Sequence, residues 1–269
     1  MKKLIKSIFN FFGLDIVRYK NDDDKEKLMN FDFNQEANQL IKIIRPYTML
    51  PYTNLVQLYE LVKYCEINEI LGDFVECGVW KGGSSALMAL GSLNNCKNEP
   101  RTLHLFDIFS EICAPDPDKD GERAMREAKK FNSKFIENKK ELFSLKGIYD
   151  AYGGPGSLSQ NQELFYNIIK YPKAKVHFHE GWFQDTLPIV KNEISKIAIL
   201  RLDGDWYEST KVCLENLYDK VVKGGVIIID DYGTYEGCKK AVDEFIHSKS
   251  LKVFLSYSSS DCRYWIKND

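Results

Sequence analysis

Asp73-Phe74-Val75-Glu76-Cys77-Gly78-Val79-Trp80-Lys81-Gly82-Gly83-Ser84-Ser85, followed by Ala86-Leu87-Met88-Ala89-Leu90, is the stretch whose reading decides the fold. A short apolar run, a glycine-rich turn and a helical pattern, in that order, describe a strand–turn–helix unit. The turn falls at the carboxyl end of a first parallel strand, where an α/β domain cradles a cofactor with an adenosine half. Gly78, Gly82 and Gly83 allow positive φ and close backbone approach, and the N–H groups opening the next helix favour anionic atoms.

Spacing separates the cofactors that use such a turn. A dinucleotide fingerprint needs Gly-x-Gly-x-x-Gly, but Trp80 stands at the second glycine. A phosphate-gripping loop needs Gly-x-x-x-x-Gly-Lys-Ser/Thr, but Ser84 stands where the lysine belongs. What is left is Glu76, one glycine and then a glycine pair: an acid to meet a cationic amino group, and a compact loop to lie beside an amino-acid tail. S-adenosylmethionine meets that description. By itself the stretch suits a tight turn with small residues for helix packing equally well, so the rest of the chain must decide.

Upstream, Arg45-Pro46-Tyr47-Thr48-Met49-Leu50-Pro51 reads as an irregular approach, and a helix is expected from an N-cap at Asn54 with Gly72 as its stop. Leu4, Ile5, Ile8, Phe9 and Phe12 share one helical face near Lys2, Lys3 and Lys6, so residues 1–14 suit either a peripheral membrane contact or a helix docked on protein. The segment to residue 31 is read as this amphipathic piece and a solvated linker, with one domain over 32–269.

Downstream, Thr102–Asp107 is a second strand ending in a carboxylate, where such sites hold ribose hydroxyls or where an aspartate caps a turn. Residues 111–172 break the strand–helix rhythm, carry a charged helical stretch over 122–140, and are expected to form a lid or acceptor wall. Lys175–Glu180 is a third strand, running into Gly181 and Trp182, the latter placed to flank an adenine or to pack in the core. Lys196–Asp203 and Val226–Asp231 are the fourth and fifth, with a helix from Ser209 stopped by Lys223-Gly224-Gly225. Lys252–Ser256 and Cys262–Ile266 suit a closing antiparallel pair. The fold class is therefore α/β: a doubly wound, mostly parallel seven-stranded sheet of the class I methyltransferase type, with helices on both faces and an inserted lid.

At 269 residues with 44% hydrophobic content, the chain can build one sizeable core with appendages. A formal charge of -2 gives no field that recruits nucleic acid. Seven scattered cysteines without a Cys-x-x-Cys pair read as reduced thiols. No apolar run spans a bilayer and no signal-type cleavage site follows the start, so a cytoplasmic protein is expected, at the inner face of a membrane if residues 1–14 anchor it.

If strands four and five are neighbours, Asp203, Asp205, Asp230 and Asp231 meet at one sheet edge. Four ionised carboxylates there repel, so either some take protons or a cation holds them, and hard oxygens favour Mg²⁺ or Ca²⁺. The histidines offer no rival site on this reading: His177 and His179 are assigned to opposite faces of their strand, and His104 and His247 stand alone.

On these residues the chain resembles the macrocin O-methyltransferase family, the TylF and MycF type of metal-dependent sugar methyltransferases, over roughly residues 45–245. The resemblance rests on Tyr47-Thr48-Met49, Glu76 to Ser84, Phe106-Asp107, Gly181-Trp182-Phe183-Gln184-Asp185-Thr186-Leu187-Pro188, Leu202-Asp203-Gly204-Asp205-Trp206-Tyr207 and Asp230-Asp231-Tyr232-Gly233. It implies that Asp203, Asp230 and Asp231 hold Mg²⁺ and that Asp205 is the general base. It further implies that Thr48, Met49, Glu76, Gly78, Ser84, Asp107, Gly181, Trp182 and Asp203 contact S-adenosylmethionine. The implied acceptor is a sugar hydroxyl in a glycan precursor, nucleotide sugar or glycosylated metabolite. Ile108-Phe109-Ser110-Glu111 departs from the family's usual Ser-Phe-Glu-Gly run, and the insertion to Pro172 has no match, so the acceptor wall transfers least. A catechol-like phenol as acceptor, a catalytically silent membrane-surface module and a homo-oligomer all stay open at this point.

Overall fold

The computed structural model describes residues 34–131 and 144–268, so the segment and linker expected over residues 1–31 lie outside the described residues. The architecture below is that of the unit Glu36–Asp269. Helix α1 (Gln35–Ile44) and the approach through Arg45–Tyr47 lead to α2 (Tyr52–Ile67), then β1 (Asp73–Cys77), α3 (Gly83–Asn95) and β2 (Leu103–Asp107). The insertion contributes α4 (Gly121–Phe131) and α5 (Leu158–Glu163). Alternation resumes with β3 (Val176–Glu180), α6 (Phe183–Val190), β4 (Ile197–Leu202), α7 (Tyr207–Leu217), β5 (Val221–Ile229) and α8 (Glu236–Ser248). The short pair β6 (Ser256–Tyr257) and β7 (Arg263–Ile266) ends the sheet.

The seven strands lie in the order β3-β2-β1-β4-β5-β7-β6. The first five pair in parallel, while β7 runs antiparallel to β5 and β6. Strand order reverses between β1 and β4, and ligands of doubly wound sheets bind outside the carboxyl ends at such a point. Both faces are covered because successive side chains of a strand point to opposite sides. Phe74, Leu103 and Val226 join Leu55, Leu58 and Leu87 in one core. Val75, Leu200 and Ile227 join Leu214, Val242 and Phe245 in the other.

Helix α2, β5 and β6 differ from expectation at their bounds; β6 covers Ser256–Tyr257, where an extended run over Lys252–Ser256 was expected. Helix α2 starts at Tyr52 after Pro51, whose φ of -64° is already helix-compatible, so Asn54 sits in the first turn and donates to Pro51 O at 3.0 Å instead of capping. The same helix ends at Ile67, short of Gly72. Gly224 and Gly225 lie inside β5 because the end of β7 pairs with them: Gly224 donates to Lys267 O at 2.7 Å, and Lys267 donates to Gly225 O at 2.8 Å. Ladder bonds therefore override the local preference of the glycines to turn.

Gly78 has the strictest requirement in the fold. Its φ is +92°, and a Cβ there would fall 1.7 Å from the carbonyl oxygen of Asp203. The close approach that only glycine permits is thus to the end of β4, and it draws Asp203 against the cofactor turn.

Candidate active site

A cavity of about 690 Å³ opens at the carboxyl ends of β1, β2 and β4 and is roofed by the insertion. Met49, Gly78, Asp107, Gly181, Trp182 and Asp203 line it, as expected of the cofactor half. Thr48, Glu76 and Ser84 are not among its lining residues. Glu76 is fully buried, and Ser84 Oγ donates to its Oε1 at 2.6 Å while Ser85 Oγ bonds Oε2. The cation that meets Glu76 is Arg201, whose Nη1 lies 2.6 Å from Oε1.

Arg201 is the residue that the sequence reading passed over. It sits 1% exposed in the apolar run of β4, where a lone charge must find partners or cost several kcal/mol. It finds three: Glu76, Asp203 Oδ2 at 2.9 Å and Asp230 Oδ1 at 2.7 Å. A single arginine inside an otherwise hydrophobic strand was the available signal.

The aspartate edge forms as the strand order requires. Carboxylate oxygens of Asp203, Asp205 and Asp231 lie within 4.8 Å of one another. Asp230 stands beside them but turns one oxygen to Arg201. Asp205 has a left-handed backbone, φ +58°, a conformation that aspartate tolerates better than most residues but that the surroundings must hold. Its N–H donates to Asp231 Oδ2 at 3.2 Å. Burial, then Asp203 and Asp230, push the Asp205 carboxyl well above the usual range. Burial and Asp205 do the same to Asp231. Asp230 is pushed up by burial to about 7, with Arg201 opposing the shift. Among the described residues, no lysine or arginine forms a salt bridge with Asp205 or Asp231. Hard oxygen donors, close together and short of positive charge, fit a divalent cation.

Asp107 ends β2 and pins the glycine turn. Its Oδ2 accepts from Val79 N at 2.6 Å and Trp80 N at 2.9 Å, and its Oδ1 accepts from Phe109 N at 2.6 Å. Oδ1 keeps an acceptor position, since each carboxylate oxygen can take two donors. Trp80 occupies the disputed glycine position with φ +48°, so the turn takes its left-handed step without glycine. The indole Nε1 of Trp80 is buried without a protein acceptor, the kind of orphan donor that a ligand oxygen satisfies. These features fit an adenosyl amino acid at the turn.

The insertion is also tied to the loops that follow β4 and β5. Trp206 Nε1 donates to Cys113 O at 2.8 Å, and Tyr235 Oη donates to Glu127 at 2.7 Å. The Trp206 and Tyr235 rings meet at 4.9 Å, and both line the cavity with Tyr149. The spacing of the sequence marked none of these three, because their roles depend on which loops meet across the cavity.

The histidines correct an expectation. Residues two apart on a strand share a face, so His177 and His179 lie on the same side of β3, their rings 6.5 Å apart. His104 of β2 joins them at 5.0 Å and 5.4 Å. His104 Nδ1 and His179 Nε2 are 3.1 Å apart with ring planes 7° from parallel, and His104 Nε2 is 3.4 Å from Asp73 Oδ2. A His104 proton on Nε2, toward Asp73, leaves Nδ1 to accept from His179.

The fold and this edge define a class I methyltransferase. Comparison with known proteins gives the particular family: macrocin-O-methyltransferase (TylF) matches over residues 14–151 and 159–267. The demethyldecarbamoylnovobiocin O-methyltransferase of Streptomyces niveus is 34% identical over 221 residues, covering 81% of this chain and 75% of the relative. The 8-demethyl-8-(2,3-dimethoxy-alpha-L-rhamnosyl)-tetracenomycin-C 4'-O-methyltransferase of Streptomyces olivaceus is 30% identical over 201 residues, covering 74% and 67%. The solved structure of the O-methyltransferase NovP superposes with a TM-score of 0.64 at 32% identity, covering 83% of each chain. The chain belongs to the macrocin-O-methyltransferase family, and it is an S-adenosylmethionine-dependent O-methyltransferase.

Proposed function

We propose that the chain methylates a hydroxyl of a sugar carried by a glycosylated small molecule, a glycan precursor or a nucleotide sugar, with Mg²⁺ held at the aspartate edge. The observation that carries this reading is the convergence of Asp203, Asp205 and Asp231 beside a cavity walled on one side by the cofactor turn and on the other by the insertion. A relative whose name specifies a rhamnosyl group and a 4'-O position supports a sugar as the acceptor.

A sugar hydroxyl ionises far above neutral pH, so its oxygen attacks efficiently only as its proton leaves. Asp205 takes that proton, its carboxylate standing with those of Asp203 and Asp231 at the cavity. Asp203 and Asp231 hold the ion, and Asp230 lends the oxygen that Arg201 leaves. When bound, Mg²⁺ supplies positive charge for the developing alkoxide and keeps the neighbouring aspartates ionised. When bound, S-adenosylmethionine would supply a methyl on a sulfonium centre, and Asp107, Met49 and Trp182, which line the cavity, would hold the donor. Trp206 and Tyr235 wall the acceptor and keep water from the reacting oxygen.

The test is a panel of glycosides, nucleotide sugars and catechols incubated with S-adenosylmethionine and Mg²⁺, with products mapped by mass spectrometry. One methyl added at a sugar hydroxyl is expected. Methylation confined to catechols, or absent from every acceptor while the donor binds, would overturn the sugar assignment.

A further inference from the structure

The insertion touches the cofactor turn at a second place, far from its ties to Trp206 and Tyr235, and there it is held by residues of the turn itself. Lys81 Nζ donates to Tyr152 O at 2.6 Å and to Gly153 O at 3.2 Å, and it sits 4.8 Å from the centre of the Trp80 ring. The Trp80 ring packs on Tyr149 at 6.1 Å and edge-on to Tyr152 at 6.5 Å. Asn161, at 0% exposure, donates from Nδ2 to Trp80 O at 2.8 Å. Gly156 completes the contact, for a Cβ there would fall 1.8 Å from Trp80 O.

The gripped segment has its own shape. Tyr152 N and Gly154 N both donate to Tyr149 O at 2.9 Å, and Gly153 N donates to Asp150 O at 3.1 Å. It is a small knot of backbone bonds with Tyr149 and Tyr152 projecting from it, and both side chains line the cavity with Asp205. Nothing inside the knot fixes where it sits over the cavity. The Trp80 packing, the Gly147 N bond to Glu111 and the two carbonyls that Lys81 holds do, and of these the charged donor to a carbonyl is among the stronger hydrogen bonds a partly exposed site can offer.

We propose that Lys81 is a positioning residue for the acceptor: it latches segment 148–156 to the turn that cradles the methyl donor, and so sets where Tyr149 and Tyr152 wall the acceptor. The proposal rests on the methyl-transfer reading for what the cavity holds, but the latch itself does not depend on it. Trp80 and Lys81 are adjacent and both engage the same segment.

The test uses the full chain and its Lys81→Met and Lys81→Arg variants. Backbone hydrogen exchange at Tyr152, Gly153 and Gly154 is expected to quicken about tenfold in Lys81→Met, with β1 and β4 unchanged and Lys81→Arg near wild type. S-adenosylhomocysteine, titrated calorimetrically, is expected to bind all three with Kd values within about threefold, because the side chain holds the wall rather than the donor. With demethyldecarbamoylnovobiocin as acceptor probe, KM is expected to rise about tenfold in Lys81→Met while kcat holds within about threefold, and Lys81→Arg is expected to restore it. Unchanged exchange at residues 152–154 in Lys81→Met overturns the latch, as does a fall in kcat at constant acceptor KM. Failure of the wild-type chain to bind S-adenosylhomocysteine would instead count against the methyl-donor reading and leave the exchange result to decide the latch.

Discussion

Two polar clusters stand in the same sheet and differ in what they leave unanswered. On β2 and β3, His104, His177 and His179 stack, with His104 Nδ1 paired to His179 Nε2 and His104 Nε2 beside Asp73. At the carboxyl ends of β4 and β5, Asp203, Asp205, Asp230 and Asp231 crowd round one guanidinium and still carry more negative charge than it balances. Residue types that bind metals occur in both places. Only the second lines the large cavity at the carboxyl ends of β1, β2 and β4, with carboxylates that no lysine or arginine among the described residues neutralises.

The largest difference between the clusters should appear in catalysis. Asp205→Asn is expected to lower kcat about 10³-fold while S-adenosylhomocysteine still binds calorimetrically within about threefold, the scale of a lost general base. His179→Gln, in the satisfied cluster, is expected to change kcat by less than about twofold. A variant pair with the effects reversed would exchange the two regions' roles.

Next in size is the backbone fit that brings Asp203 to the turn. Gly78→Ala is expected to destabilise the chain by about 3 kcal/mol in urea denaturation, because a methyl group cannot share space with the Asp203 carbonyl. A stable Gly78→Ala chain would mean that the strand end is free to move away.

Smaller, but more discriminating, is the dependence of stability on pH. Asp230 is raised to about 7 when folded, above the unfolded carboxylate value near 4. Over that window the folded chain holds more protons than the unfolded one, so this contribution to stability is full below about pH 4 and lost as pH rises toward 7. His179 is lowered to about 4, mainly by burial and then by its histidine neighbours. Its contribution has the opposite sign, present above about pH 6.5 and lost as pH falls toward 4. Asp205 and Asp231 are raised along with Asp230, so melting temperatures of chelator-treated chain should fall between pH 4 and 7, and His179→Gln should steepen that fall. Saturating Mg²⁺ should remove that fall. A flat profile in the variant without metal would show that the aspartates do not titrate as a crowded group.

Much of this was legible in the sequence, for physical reasons that vary by element. The parallel strands could be read because residues 226–229, and 197–202 apart from Arg201, are apolar on both faces, and the site edge because each of these strands ends in paired acids. The glycine turn was placed correctly, yet the partner that Gly78 needs room for is Asp203 backbone, which spacing along the chain cannot reveal. Glu76 was read as facing the donor's amino group because a strand-end acid has no visible cation in sequence, and Arg201 lies 125 residues away. The histidines were misjudged through strand periodicity itself: alternate residues share a face. Tyr149 and Tyr235 were invisible and Trp206 stood out only as part of a motif, since the cavity wall exists only where the insertion meets the ends of β4 and β5.

The most direct measurement is calorimetric titration of Mg²⁺ into chelator-treated chain saturated with S-adenosylhomocysteine, alongside Asp203→Asn and Asp231→Asn. One ion bound per wild-type chain, with binding weakened at least about tenfold in each variant, is the expected result. Absence of binding to the wild type, or equal binding in all three proteins, would contradict an aspartate edge built to hold a divalent ion.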